Sequence, residues 1–463
     1  MLGHQMSVIS GIAPRREDRS RPPWEARRTG TDRLEATAVA GSTVVSIAAV
    51  LALRSSPMAA AALVALIVIG ALAIRTGVMG MTVLLVAALP WVVVFGAVLP
   101  KLAETFTAGL AVLLLLVVTV PRSDGSKASR RLRLGLALFY APVVIGLGRM
   151  PGSAQFIEAA KYLVFPLTVL AVTEGTNHAA LARLGRVALI SGAIAVTANL
   201  LLGVSGLNHS YYAAGDIDGL GGEHDVALLA GAVTAAALGM GTNVRWAGTS
   251  AVGAVATIAT GVRSTLPGLL LVVLARMFRS GARGRNILLV GVVVGAVLVS
   301  GVSNVLVQRF DREQQLGQFS SFNNLGSGRG GIWTTALHAW YDGPPGNWVI
   351  GSGLRSVDAI EQQATGTAVT GQSDLIQAGV ELGLVGLAGL TLIWWTLIAR
   401  ARSKLPLLVL LPFALFNGAL EYGAPLMVAL LLTVAPRGDE AESGQRVVSR
   451  RRASARAPAR IGG

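Results

Sequence analysis

The sequence predicts an all-α polytopic membrane protein of about fourteen transmembrane helices (roughly twelve to fourteen), with one long polar loop on a single side. Three observations carry that expectation. Hydrophobic residues make up 53% and charged residues 14% of the 463 positions, and mean hydropathy is +0.62. The apolar residues form continuous Leu/Val/Ala runs rather than alternating, which excludes a barrel of strands. The basic residues lie in short segments flanking those runs, which is how orientation in a bilayer is encoded.

In chain order, residues 1–34 are Arg-rich and contain no early apolar core. They read as a disordered basic tail rather than a cleavable leader, with the first membrane helix as an uncleaved anchor. Eleven helices are expected within 35–304, at about 36–53, 58–74, 78–99, 105–120, 134–148, 160–174, 187–204, 225–241, 247–262, 264–278 and 286–304. Residues 305–373 are polar and rich in Gly, Arg and Trp, and are expected as the long loop. Loops of that length inside membrane proteins are usually functional. Three more helices follow within 374–436, at about 374–398, 405–420 and 422–436, and residues 437–463 form a second basic tail. Several spans fall short of the roughly 20 residues that cross a bilayer squarely, which local thinning or snorkelling Arg accommodates.

Placing the N-terminus in the cytoplasm puts every dense basic cluster on the same side. These are Arg122 to Arg133, Arg183 with Arg186, Arg276 to Arg285, Arg400 to Lys404, and the final tail. The positive-inside rule is met, so both termini are expected in the cytoplasm. The loop Ser205–His224, the tight turn at Arg263 and the 305–373 loop then face outward. The net charge of +15 is explained by this topology without nucleic acid. The chain has no Cys, which excludes disulfides and thiolate chemistry.

Candidate functional residues belong to the outward segments. Arg263 lies in IATGVRSTLPG between two apolar segments too close for a real loop. An Arg at bilayer depth is a functional candidate, and its donor fork suits a diphosphate; snorkelling to lipid headgroups is the competing reading. Arg329, in GSGRGGIW, has flanking glycines that let backbone approach a ligand, with Trp333 four residues on along the same helix face. Arg309 and Arg355 are weaker loop candidates for substrate binding. At 371–386, GQSDLIQAGVELGLVG, Ser373 reads as an N-cap and Asp374 sits in the first helical turn. The functional alternative puts Gln372, Ser373 and Asp374 at the mouth of an outward cavity, with Asp374 as a base. Glu223, His224 and Asp225 head another span and are expected to line the same cavity. Asp216 and Asp218 offer a weak Asp-x-Asp pair, the histidines lack ligand spacing, and no metal site is expected.

Taken together, these features resemble the O-antigen ligase and O-antigen polymerase superfamily of bacterial envelope enzymes, most strongly over 205–400. The shared features are GLGGEHDVALLAGA, the TGVRST apex, Arg309-Phe310 opening the long loop, SGRGGIWTTAL, DGPPGNWVIGSGL and ELGLVG. The resemblance implies a glycosyltransferase of the C type in the bacterial cytoplasmic membrane. Such an enzyme passes a glycan from polyprenyl diphosphate to an acceptor sugar hydroxyl on the outer face. It also implies that Arg263 and Arg329 hold the diphosphate leaving group, with no cofactor and no obligatory metal. One position departs from the pattern: where many members carry His, this chain has Gln372, which cannot act as a base, so Asp374 is left as the candidate. The competing class is a lipid-linked oligosaccharide flippase or another membrane transporter.

Overall fold

The computed structural model describes residues 79–94, 109–114, 127–149, 153–204, 222–241, 243–278, 283–300, 329–365 and 373–435, with a few single positions besides. The chain divides into two compact units, Met1–Met81 and Thr82–Gly463, and everything that follows concerns the second. The spans expected at 36–53 and 58–74 lie outside the described residues, as do both tails.

All regular structure among the described residues is helical. Among the described residues, three helices are long and apolar enough to cross a membrane: Arg130–Gly148, His178–Leu201 and Asp374–Arg400. Shorter apolar helices include Thr265–Met277, Asn286–Val299, Leu405–Phe416 and Gly423–Leu432. The protein is therefore helical and of membrane character. Exposed Leu201, Leu270, Leu288, Leu298 and Val299 fit that character, since apolar side chains facing outward cost nothing in lipid.

Gly222–Met240 is the central helix. From Val226 to Leu238 its apolar side chains are buried nearly all round. The helices Val244–Ala259, Leu405–Phe416, Gly423–Leu432, His178–Val204 and Thr265–Met277 surround it. Small residues permit this closeness, as expected where helices associate by packing rather than by expelling water. At Gly231 an added Cβ would stand 2.8 Å from a Val409 methyl, and at Gly268 it would stand 2.6 Å from Val409 Cα. The same device joins Lys127–Arg149 to Asp374–Arg400, where a Cβ at Gly389 would meet Phe139 N at 2.4 Å.

The 305–373 interval, expected as a loop, carries helices among its described residues, including Arg329–Tyr341, Pro345–Ile350 and Ser356–Thr365. Pro345 opens the second of them from the first helical position, where its missing N–H is not needed. These helices pack on the first turns of Asp374–Arg400. Ala336, Val357 and Val380 form a small buried core there, with Trp340, Ile360 and Ile376 packed against it.

The closing helix, expected to be continuous, breaks at Gly383 (φ 68, ψ −171). The break leaves carbonyls without intrahelical donors, and residues 351–353 supply them. Ser352 N–H donates to Val380 O at 2.8 Å and Gly353 N–H to Glu381 O at 3.2 Å. Gly351 and Gly383 meet backbone to backbone: a Cβ at Gly351 would lie 2.1 Å from Glu381 O, and one at Gly383 would lie 2.4 Å from Gly351 N. Both also hold positive φ, so glycine is required at each position twice over.

A second difference concerns the span expected at 405–420. The helix stops at Phe416, because Asn417-Gly418 is a helix-terminating pair, with Gly418 at φ 73. A 3-10 turn, Ala419–Glu421, then leads into Gly423–Leu432. Other described helices run through positions where spans are expected, such as Ser153–Glu174 around 160–174; of 105–120 only a short part is described.

Candidate functional site

The break after Phe416 organises a polar cluster at one end of the bundle. Its centre is the segment Asn417–Tyr422, and four helices begin around it: Gly222–Met240, Arg329–Tyr341, Asp374–Arg400 and Gly423–Leu432. Helix starts present unsatisfied N–H groups and a positive dipole end, so acidic and polar side chains are favoured beside them.

Asp374 is 1% exposed, and its Oδ1 accepts a hydrogen bond from Leu420 N–H at 2.9 Å. One turn on, Gln377 donates from Nε2 to Glu421 Oε1 at 2.8 Å. The other oxygen of Glu421 pairs with Lys161 Nζ at 3.0 Å. Beside Lys161, Tyr162 donates its hydroxyl to Glu381 Oε2 at 2.7 Å, with both side chains buried. Asn417 Nδ2 lies 3.0 Å from His224 Nδ1. His224 also packs edge-to-face on Tyr422 and Phe413, with ring centroids 5.8 Å and 6.5 Å apart. Asp225, Glu421, Arg329 and Asp374 are all electrostatic neighbours of Tyr422. Among the side-chain oxygens here, Asp374 Oδ2, Gln377 Oε1 and Asn417 Oδ1 are buried without a hydrogen-bond partner.

Arg329 opens its helix half-buried, and Trp333, one turn later, stacks on Phe416 at 6.3 Å with 27° between the planes. The spacing read from sequence thus describes a helix start, and both residues reach the segment between Phe413 and Tyr422.

Arg263 lies half-buried in the turn after Val244–Ala259. Hydroxyls close that turn: Thr260 Oγ1 donates to Thr257 O and accepts from Val262 N–H, and Thr265 Oγ1 donates to Val262 O. Gly253 seats against Ala230 and Thr234, and Gly268 against Leu408 and Val409. This antiparallel register brings the turn back to the end where Gly222 starts and Leu405–Phe416 finishes. Ser264, next to Arg263, buries a hydroxyl with no hydrogen-bond partner.

Other residues lie apart from the cluster. Arg355 is exposed at φ 64 just before helix Ser356–Thr365, and it pairs at 3.1 Å with Asp358 in that helix's first turn. Ser373 occupies the N-cap position of the closing helix, but its side chain makes no capping hydrogen bond. Asp374, expected at an open cavity mouth, is enclosed by the Asn417–Tyr422 segment. Arg309, Gln372, Asp216 and Asp218 lie outside the described residues.

Lys161, Gln377, Asn417, Glu421 and Tyr422 belong to the cluster and are not singled out by the sequence reading. The signal for them was present. Lys161 and Glu421 are ionisable residues inside apolar stretches, EAAKYLVF and NGALEYGAP, and such residues are functional candidates by default. Hydropathy averaging absorbed both.

The opposite end is tied differently. Arg400 donates to Thr173 O at 3.2 Å and pairs with Glu174 at 2.6 Å, fastening the end of the closing helix to that of Ser153–Glu174. Compared with protein-family models the chain matches none, and it matches no curated protein.

Proposed function

We propose that the chain is a glycosyltransferase of the bacterial cytoplasmic membrane, with about fourteen spans, both termini in the cytoplasm and the polar cluster at the outer leaflet. In this reading it transfers a glycan from polyprenyl diphosphate to a hydroxyl of an acceptor glycan, as a polysaccharide polymerase or ligase. The observation that carries it is the enclosure of a carboxylate, Asp374, within electrostatic range of a group that Arg329 also reaches, in an otherwise apolar bundle. A base and a guanidinium on one small cluster are what displacement of a diphosphate requires.

The roles follow from position. Arg329, with Arg263 from the neighbouring turn, takes the charge that develops on the departing diphosphate. Asp374 accepts the proton as the acceptor oxygen bonds to the anomeric carbon and the bond from that carbon to the diphosphate oxygen breaks. Trp333 offers a face to a sugar or isoprenoid group, and His224 and Asp225 border the cluster. Arg309 and Arg355 remain proposals for contacts with the outer part of the donor. The reaction needs no cofactor in this account, because the donor is already activated.

The part-buried pair Lys161–Glu421 supports a second reading, a transporter of lipid-linked oligosaccharide, since paired charges inside apolar bundles also mark translocation paths. Cells carrying Arg329→Ala separate the two. Single glycan units on lipid, exposed at the outer face and without long polymer, support the transferase. The same units held on the inner face overturn it in favour of the transporter.

A further inference from the structure

Three unpartnered oxygens of the cluster have a common chemistry. Asp374 is 1% exposed, Gln377 2% and Asn417 3%, so bulk solvent does not reach Asp374 Oδ2, Gln377 Oε1 or Asn417 Oδ1. The orientation of two of them is fixed by their partners. Leu420 N–H only donates, so Asp374 Oδ1 accepts there and Oδ2 remains. The Glu421 carboxylate accepts, so Gln377 presents its nitrogen to it and keeps its oxygen. Buried acceptors without donors are costly, so each calls for a donor brought by a bound molecule or an ordered water.

All three side chains reach the same short segment. Asp374 and Gln377 lie one turn apart on the closing helix and bond to Leu420 and Glu421, while Asn417 stands just before them in sequence. The ligand must therefore bring hydrogen-bond donors. An anion finds no donor in these three oxygens, and the Glu421 carboxylate lies beside them. A metal cation is disfavoured as well: both oxygens of Glu421 are taken by Lys161 and Gln377, and the Lys161 ammonium already supplies the positive charge. Neutral hydroxyl groups meet both conditions.

We propose that Asp374, Gln377 and Asn417 form a hydroxyl-recognition subsite that holds the acceptor sugar ring through these three oxygens. That the sugar is an acceptor rests on the glycosyl-transfer reading; the hydroxyl chemistry does not. The division of labour is then spatial. The arginines take the diphosphate, while the Asp374–Asn417 side takes the sugar to be extended, with the Asp374 carboxylate on the hydroxyl that reacts. Sites that bond a substrate hydroxyl discriminate strongly against analogues lacking it, so this subsite also sets acceptor specificity.

The test measures thermal unfolding of the purified full-length protein in detergent. The probes are methyl glycosides of glucose, galactose, mannose, rhamnose and N-acetylglucosamine, with sodium chloride and magnesium chloride in parallel. At least one glycoside raises the melting temperature, and the half-saturating concentration rises about tenfold or more in Gln377→Met and in Asn417→Leu, each of which removes one acceptor. Should one variant fail to fold, the other carries the comparison. Stabilisation by sodium or magnesium alone, no shift with any glycoside, or equal shifts in parent and variants each overturn the subsite. Glycoside binding without any transfer from a lipid-linked donor leaves the subsite standing and overturns the transferase reading instead.

Discussion

The seam between Gly351 and Gly383 is the feature whose energetics are most directly readable. In Gly351→Ala the new methyl carbon would stand 2.1 Å from the Glu381 carbonyl oxygen and 2.2 Å from its carbon, in contact with rigid backbone. Residue 351 also holds φ 79 and ψ 169, a region essentially restricted to glycine, at a cost of about 1–3 kcal/mol for alanine. Relieving the overlap moves residues 351–353 off the kink. That breaks the hydrogen bonds to Val380 and Glu381 carbonyls, each worth about 0.5–1.5 kcal/mol net. The sum is a destabilisation of about 2–6 kcal/mol. Gly346→Ala provides the control within the same short segment. It has nothing within 4 Å of an added Cβ and sits inside helix Pro345–Ile350, so it stabilises by up to about 1 kcal/mol from helix propensity. Thermal melting of the purified protein, followed by tryptophan fluorescence, reads both. Opposite signs are expected, with the larger effect at Gly351. A parent-like melting temperature for Gly351→Ala, or shifts of the same sign, would refute the docking of residues 351–353 into the kink.

Removing Lys161 tests the buried end of the cluster. Lys161→Met leaves Glu421 with only the Gln377 amide, and because the pair is partly solvated the loss is expected at about 1–3 kcal/mol, below that of a fully buried pair. A double-mutant cycle with Glu421→Gln should show the two effects to be strongly coupled, and simple additivity would contradict the pairing. Asp374→Asn keeps the shape and the Leu420 bond while removing the base, so transfer should be lost without loss of folding; unchanged turnover removes Asp374 from the chemistry. Arg355 is exposed and pairs locally with Asp358 in the helix that follows it, an arrangement worth about 0–1 kcal/mol. Arg355→Ala should therefore lower activity far less than Arg329→Ala, and equal losses would return Arg355 to the site.

Hydropathy made the helices legible, because continuous apolar runs leave few alternatives. It also misled at specific places. The expected 405–420 span ran through Asn417-Gly418 because Ala419 and Leu420 keep the average high, although that pair is a helix stop. The segment 329–365 reads as polar loop because its helices are short and half-exposed, with a core of only a few side chains. The WVIGSGL and ELGLVG motifs were both visible, but no single sequence shows that glycines some thirty residues apart touch. Arg329, Trp333 and His224 were found from local pattern alone. Glu421 and Lys161 were not, because their significance lies in a pairing across 260 residues.

The central proposition is that the guanidinium of Arg329 holds a diphosphate leaving group beside the carboxylate of Asp374. Its most direct measurement uses the purified protein in lipid nanodiscs, supplied with a polyprenyl-diphosphate-linked glycan and a glycan acceptor, with release of polyprenyl diphosphate followed over time. The account predicts release coupled to extension of the acceptor, falling by about a hundredfold or more in Arg329→Ala, as for loss of a preorganised charge stabiliser. Release that is absent from the parent protein, or undiminished in Arg329→Ala, would contradict it.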